Sequence, residues 1–598
     1  MAITNSLNSK WSPLARFHHW RLRHISERRF VLLLSIVVGI IAGIGATVVK
    51  KSVWLTHQLV NHLISHADQN YVFVVLPFLG LFLTVVIVQY IIRRPVRHGI
   101  PNVLYSIAKR KGVLSRHNLF SSVLTSALTV GFGGSVGLEG PCVATGAAYG
   151  SWLSRTFHLS YHNTILLLIS ASAGAMGAIF KAPIAAIVFA VEIMMVDLTA
   201  YSLIPLLLSS SSAVVTSYIF MGQNVLYPVD VRVSFVLNDL PYYVGMGIFT
   251  GLVSGYFTRM YMFIANFMAS IGSFWKRLLI GSGILGVLIF LFPSFYGEGY
   301  EAINECLAGQ TSYLFDNSLF YNWQGQFWVV LLLLLGVVFC KILATSFTFG
   351  AGGVGGIFAP TLFTGANTGM FFVLLLNHLG VHTLDRSNFA LLGMCGLIAG
   401  VLQAPLTGIF LIADISGGYQ LFIPLMITSA FAFLTVKIFS PNSVYHYQLA
   451  QRKELFTHDQ DKNILQMMEV SKLVETDFVT LHPEATLRDL TQAISESHRD
   501  LFPVVDEKGY LKGMVKMDDI RHLIFKQGLY DRIKLKDLMY LPEDYISPLD
   551  SMDQVVGKFE RSGRYNIAVM DQGKYIGFIS KARVFSFYRK RMSDFSHD

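Results

Sequence analysis

Charge is scarce in this chain: Asp, Glu, Lys and Arg make up 14% of its 598 residues, 53% are hydrophobic, and the mean hydropathy is +0.51. A soluble globular protein has no core large enough for so high an apolar fraction, so composition excludes that class and indicates a membrane protein. Cysteine is nearly absent. The four present, Cys142, Cys306, Cys340 and Cys395, are far apart and show neither CxxC nor Cys/His ligand spacing, which leaves no support for a disulfide framework or a zinc site. They read as packing residues. Also missing are HExxH, GxSxG and paired catalytic aspartates, so nothing points to an enzyme. The GxGxxG at Gly350 to Gly355 lies between membrane segments without the βαβ unit that a dinucleotide loop needs.

Acidic residues (37) are fewer than basic ones (47), for a formal charge of +10. The basic residues cluster beside apolar runs, which reads as membrane topology and not as nucleic-acid binding. Residues 1–29 hold Lys10, Arg16, Arg21, Arg23, Arg28 and Arg29 against the single acid Glu27. This stretch is too long and arginine-rich for a cleaved signal peptide and is expected to be a cytoplasmic arm. Arg93 to Arg116 repeats the pattern with seven basic residues and no acid, which places two crossings, near 30–49 and 72–92, between two cytoplasmic segments. The expected location is a cell membrane spanned many times, bacterial inner membrane in type, with both termini cytoplasmic.

From 30 to 449 apolar stretches follow one another almost without a break, and from 450 to 598 the pattern becomes soluble, with mixed charge and short β-like runs. Several apolar stretches are shorter than the roughly 20 residues a spanning helix needs. Those at 131–150, 172–194, 350–369 and 396–416 are interrupted by Gly or Pro. Interrupted segments in corresponding positions point to a site near the bilayer midplane. The correspondence is visible here. GFGGSVGLEGPCVATGAAYG from Gly131 lies over GAGGVGGIFAPTLFTGANTG from Gly350 without a gap, identical at nine of twenty positions. KAPIAAIVFAVEI from Lys181 likewise lies over QAPLTGIFLIADI from Gln403, and the two offsets, 219 and 222, nearly agree. The membrane domain is therefore an internal duplication, with inverted or parallel halves left open by sequence alone. The tail repeats as well: the segment from Asp477 and that from Asp544 share an order of strand, amphipathic helix, two strands and helix, a tandem α+β module.

An anion entering a membrane must exchange its water for donors, and backbone N–H groups at helix N-termini supply them with favourable dipole potential. GSVGLEGP (134–141) and GVGGIFAP (353–360) have that form, a glycine-rich break followed by proline in a first helical turn. The same segments also suit tight helix packing by small residues. The duplication sorts the acids. Glu192 has the equivalent Asp414, which suggests scaffolding, whereas Glu139 faces Phe358 in the other half. A lone carboxylate at a helix N-terminus competes with an anion for the same donors and leaves on protonation, so it can act as gate and proton carrier; a satisfied structural acid is the alternative.

On these motifs the chain resembles the CLC family of chloride channels and transporters, with a C-terminal tandem CBS domain. The family's GSGIP appears as RHGIP (Arg97 to Pro101), its GKEGP or GREGP as GLEGP (Gly137 to Pro141), GGIFAP is intact from Gly355, GxGY appears as GEGY (Gly297 to Tyr300), and SVYHYQL offers the tyrosine at Tyr445 ending the last helix. The resemblance implies a polytopic α-helical protein with inverted-repeat halves and short broken helices, a homodimer with one pore per subunit. It further implies bound chloride held by Gly99, Gly140, the amides of Ile357 and Phe358, and the Tyr445 hydroxyl, with Glu139 as outer gate.

Three departures follow from the same alignment. His98 stands where the family has an anion-binding serine, either facing the ion or turned away from it. Leu138 replaces the basic residue before the gate. Ile193 stands where exchangers of the family carry an inner proton-handling glutamate, and the adjacent Glu192 points about 100° away on a helix. The expectation is proton/chloride antiport, with a passive chloride channel as the alternative. A CBS-regulated cation transporter is more distant, since a cation path wants rings of carboxylates or carbonyls. In the tail, GMVKMDD keeps Asp519 but has Lys516 for a hydroxyl, and GFISKAR keeps Ser580 but has Arg583 for an acid. Each half of the CBS adenine-nucleotide pattern is thus altered, and a structural dimer contact is the alternative role.

Overall fold

The computed structural model describes residues 17, 20–21, 23–64, 69–94, 96, 99–195, 199–223, 227, 235–381, 383–451, 465 and 468–596. The chain divides into two compact units, Met1–Phe456 and Thr457–Asp598. Among the described residues of the first unit, eight helices are long and apolar enough to cross a membrane, the first being Glu27–Ile64 and the last Phe422–Phe439, accompanied by shorter apolar helices such as Pro183–Glu192 and Pro405–Ile415. The first helix is longer than the sequence suggests. It runs Glu27–Ile64, 38 residues, or about 57 Å at 1.5 Å per residue, against a hydrocarbon core of roughly 30 Å. Lys50 and Lys51 do not end it at residue 49: Lys50 is half-buried and Lys51 exposed within the continuing helix.

Each interrupted stretch becomes two helices joined by an extended link. Ser121–Gly131 stops before Glu139–Thr156, and Phe327–Gly350 stops before Phe358–His378. Gly133 and Gly352, equivalent at the offset of 219, are both left-handed, at φ +97° and +98°. Only glycine enters that region freely. Lys181 and Gln403, equivalent at 222, are also both left-handed, at φ 58° and 53°, each before its Ala-Pro.

The halves meet head to head. Gly137 N–H donates to the Gly356 carbonyl at 2.9 Å, and Gly356 N–H donates to the Gly137 carbonyl at 2.8 Å. Gly356 is the repeat equivalent of Gly137, so a residue pairs reciprocally with its own counterpart, which requires a local two-fold axis and hence inverted halves. The same symmetry governs Glu192 and Asp414. Glu192, at the end of helix Pro183–Glu192, accepts from the amides of Leu406 (3.0 Å) and Thr407 (2.7 Å) and from the Thr407 hydroxyl (2.7 Å) at the start of helix Pro405–Ile415. Asp414 near the end of that second helix accepts from the Ala185 amide (3.2 Å) at the start of the first. Each acid therefore caps the helix of the opposite half, satisfying amides that have no partner within their own helix.

Glycines let the spans approach closely. A Cβ at Gly369 would lie 1.9 Å from the Phe389 carbonyl oxygen of helix Arg386–Leu397, and one at Gly393 would lie 2.1 Å from the Gly365 oxygen. The equivalent first-half contact places a Cβ at Gly150 within 2.7 Å of the Leu167 oxygen. Small residues at such crossings are what membrane helices use in place of a hydrophobic drive.

The second unit holds two α+β modules. Thr486 and Ser551 open capping boxes on helices Leu487–Glu496 and Met552–Ser562. Each helix precedes an antiparallel hairpin, Leu501–Val505 with Leu511–Lys516 and Asn566–Asp571 with Lys574–Ser580, with Tyr545–Ile546 added in parallel to the latter. The two modules share an apolar seam in which the Phe478 and Phe578 rings lie 4.6 Å apart.

Two outcomes check this architecture. Glu192→Ala should destabilise the purified protein by about 1–3 kcal/mol, since it strands buried donors. Asp414→Ala should cost less, about 1 kcal/mol, for a single longer cap bond. Thermal unfolding in detergent ranks the two, and equal losses would contradict the swapped-cap geometry. Gly369→Leu should abolish a monodisperse elution peak, because a backbone carbonyl and not a movable side chain occupies the space.

Candidate functional site

Four helices begin around one small cavity. Gly99 is the first residue of helix Gly99–Lys109, Gly140 the second of Glu139–Thr156, Ile357 the N-cap of Phe358–His378, and Tyr445 the second of Val444–Gln451. All four residues line the cavity together with Gly355, Gly356 and Gln448. Four converging N-termini make a region of positive backbone potential with free N–H donors and no need of a formal cation. Close approach is enforced: a Cβ at Gly99 would lie 2.2 Å from the Gly140 carbonyl oxygen. The residues the sequence singled out from distant segments, Gly99, Gly140, Ile357 and Tyr445, are thus brought to one place. Phe358 is fully buried beside them, its ring 5.4 Å from that of Phe180. His98 lies outside the described residues.

Tyr445 does not end the last span. That helix stops at Phe439, and Tyr445 sits in the first turn of a separate short helix after a link containing Pro441. Proline cannot continue the ladder and breaks the helix there. The consequence is chemical, since a fourth helix N-terminus faces the cavity where a single continuous helix would have presented only a side chain. Gln448, one turn on, donates to the Tyr261 hydroxyl and was not singled out by sequence, because a glutamine near a helix end carries no distinctive signal.

Glu139 opens its helix and has no exposed surface. Its carboxylate folds back over the paired glycines: a Cβ at Gly137 would lie 2.1 Å from Oε2, and one at Gly356 3.5 Å. Oε1 accepts from the Tyr300 hydroxyl at 2.9 Å. Oε2 meets no donor in hydrogen-bonding geometry, although the Ala359 amide of the opposite helix lies close enough to act on the carboxylate. Tyr300 comes from the GEGY loop, whose Gly297 and Gly299 are both left-handed, at φ +68° and +83°. Burial of a carboxylate here is tolerable because a helix N-terminus and a phenol address it.

A second charge that sequence reading passed over stands nearby. Lys341, fully buried in helix Phe327–Gly350, donates to Ser135 Oγ at 2.8 Å and lies 4.4 Å from the centre of the Phe363 ring and 5.5 Å from that of Phe295. Ser135 belongs to the glycine-rich link that leads into Glu139. Thr345 and Thr348 of the same helix also bond its backbone, at 2.9 and 3.3 Å. The link is therefore clamped at three points by one helix. The signal was a lone charged residue, a lysine, within a largely apolar helix of 24 residues.

Leu138 and Ile193 are both buried in the apolar core, and Ile193 forms the C-cap of its helix with no titratable group to offer. Glu192, engaged by three donors, is a cap. In the second unit, Ser580 Oγ donates to Glu475 Oε1 at 2.6 Å and accepts from the Arg583 amide at 3.1 Å, so this hydroxyl is committed to protein partners. Arg499 bonds both Glu475 and Asp477 and holds the Asp477 carboxyl below its usual range. Arg583 also acts on the Asp477 carboxyl, so both arginines near Ser580 are engaged with an acid. Asp519 is exposed in the first turn of helix Met517–Ile524, where Lys516 pairs with its neighbour Asp518 at 3.0 Å.

Comparison with known proteins agrees with this geometry. The family described as voltage gated chloride channel matches residues 80–437, and the CBS domain matches 470–526, the first tail module. A ClcB-like chloride channel protein of Ralstonia nicotianae is 30% identical over 397 residues, covering 63% of this chain and 85% of the relative. The H(+)/Cl(-) exchange transporter ClcA of Klebsiella pneumoniae is 28% identical over 430 residues, covering 69% and 87%. Among solved structures, a slow cyanobacterial Cl-/H+ antiporter superposes with a TM-score of 0.60 at 22% identity, covering 72% of this chain and 98% of the other. A eukaryotic CLC transporter gives 0.60 at 17%, covering 92% and 97%. With a family match over more than half its length and a duplicated membrane unit built around paired helix N-termini, the chain belongs to the CLC family of voltage-gated chloride channels and transporters and carries a C-terminal CBS domain.

Proposed function

We propose that the protein exchanges chloride for protons across a bacterial inner membrane, as a homodimer with both termini cytoplasmic, and that Glu139 is its gate. The observation that carries this reading is the position of the Glu139 carboxylate, folded over the Gly137–Gly356 pair at the helix N-termini where a chloride would otherwise bind. A carboxylate there occupies the space at the positive helix ends that a chloride would need and excludes it. Protonation removes the charge that holds it, and the neutral side chain yields its place to the anion. Gly99, Gly140, the Ile357 and Phe358 amides and the Tyr445 hydroxyl then hold the ion on the inner side of the gate. The names of the Klebsiella exchanger and of the cyanobacterial antiporter support the coupled reading.

One observation favours a second reading, a passive chloride channel. Ile193 has no proton to pass on and Glu192 is tied to three donors, so among the described residues neither of these two positions offers a free carboxylate. For the tail, the commitment of the Ser580 hydroxyl to Glu475 and the Arg583 amide supports a structural role over adenine-nucleotide binding.

Liposomes loaded with chloride, their voltage clamped by valinomycin, separate the two. Antiport predicts uphill proton movement driven by the chloride gradient, and a channel predicts chloride flux with none. Glu139→Gln should abolish proton movement and flatten the pH dependence of flux while chloride transport stays within about tenfold of wild type, since the neutral mimic forfeits only the proton-transfer role. Retained proton coupling in that variant would remove Glu139 from the gate.

A further inference from the structure

Glu139 is sealed. It has no exposed surface, and the Tyr300 hydroxyl covers one of its oxygens, so a proton arriving from the aqueous phase needs an intermediate stop. Two residues before Tyr300 lies Glu298, between the left-handed glycines Gly297 and Gly299. Residue 298 keeps part of its surface accessible although its carboxyl group is closely surrounded by protein. Titratable and charged groups from several segments act on it. Glu139, Lys50 and Lys341 lie within its electrostatic reach, and it acts in turn on Tyr300 and Tyr227. His57, on the same helix as Lys50, approaches the loop, with its Nε2 3.5 Å from where a Gly297 Cβ would stand and its ring 5.7 Å from that of Tyr296. No ion pair within 4.0 Å joins Glu298 to either lysine among the described residues, so the carboxylate is flanked by cations without being locked to one.

We propose that Glu298 is the residue through which Glu139 exchanges protons with the water on the GEGY side of the gate. The inference deepens the antiport reading and rests on Glu139 being the gate. In the step, neutral Glu298 gives its carboxylic proton to the Glu139 carboxylate and is left anionic. Glu298 then takes a proton from water, and the reverse sequence discharges Glu139. Lys50 and Lys341 stabilise the anionic turn of Glu298, and the repulsion between two nearby carboxylates favours one shared proton over none. Tyr300, bonded to Glu139 and adjacent in the chain to Glu298, holds the two acids in one constellation. The GEGY loop thereby does more than shape the gate.

Flux and proton pumping of Glu298→Gln and Glu298→Asp in reconstituted protein, each with Glu139 intact and with Glu139→Gln, test this. Glu298→Gln with Glu139 intact should cut proton turnover by at least about tenfold, the lower end of what a lost proton-transfer group costs. It should also shift the pH profile of chloride flux to lower pH, because removing a neighbouring negative charge makes Glu139 harder to protonate. Glu298→Asp should recover most of both. With Glu139→Gln in place, Glu298→Gln should change nothing further. Wild-type proton turnover in Glu298→Gln would overturn the proposal, and so would an equal loss of chloride flux in both backgrounds, which would place Glu298 on the anion path. A wild-type pH profile in Glu139→Gln alone would defeat the gate reading itself, and the relay to it as well.

Discussion

Two hydrogen bonds between the Gly137 and Gly356 backbones organise the membrane unit. In lipid every backbone polar group needs a partner within the protein, so a break in a helix is admissible only where the freed groups find one. Here each break supplies the partner for the other. Because the paired residues are repeat equivalents, one contact both closes the two breaks and aligns the two helices that start immediately after them, Glu139–Thr156 and Phe358–His378, with their N-termini side by side. The positive ends of those helices, and of Gly99–Lys109 and Val444–Gln451, then converge on one cavity. Glycine at 99, 137 and 356 is a condition of that convergence, because a Cβ at 99 or 137 would fall on neighbouring atoms at 2.2 or 2.1 Å, and one at 356 would sit 2.8 Å from the Gly140 amide nitrogen.

Symmetry and its violations divide the labour. Where the halves agree, the residues hold the fold: Gly133 with Gly352 turns the chain, Glu192 with Asp414 exchanges caps, and Gly150 with Gly369 brings spans together. Where they differ, charge appears. Glu139 faces Phe358 across the axis, and Lys341 has Ser122 as its counterpart at the offset of 219. A buried ammonium is costly unless compensated. Lys341 is compensated by a hydroxyl and two aromatic faces, and its bond is to Ser135, in the link that leads into Glu139. Leu138 leaves the gating motif without its own cation, and Lys341 places one on the link three residues earlier.

Much of this was legible in the chain as written. Gapless self-alignment located the breaks, because glycine at a left-handed turn and proline in a first helical turn are requirements of backbone geometry and leave marks in sequence. Other features were not legible. The first helix continues past Lys50, a half-buried lysine, and a hydropathy pattern cannot tell where a helix ends from where its apolar run ends. Tyr445 was placed at a helix end because the break at Pro441 is short and flanked by polar residues that also suit a membrane interface. Glu298 looked like one more loop acid, since its neighbours Lys50, Lys341 and Glu139 come from three distant segments. The second tail module falls outside the CBS match at 470–526, yet it repeats the hairpin and capped helix of the first, the features by which the sequence suggested a tandem.

The swapped caps also bear on how protons reach the gate from the inner side. Glu192 sits beside the position where exchangers of this family place a proton-handling glutamate, and the temptation is to let it substitute. Its geometry argues otherwise. Both oxygens accept hydrogen bonds from the first turn of the opposite half's helix, two of them at 2.7 Å, and a proton on either would set a donor against donors. A carboxyl group committed as a helix cap is a poor carrier. On the antiport reading, a proton on that side has to pass the buried, apolar Ile193 without help from Glu192.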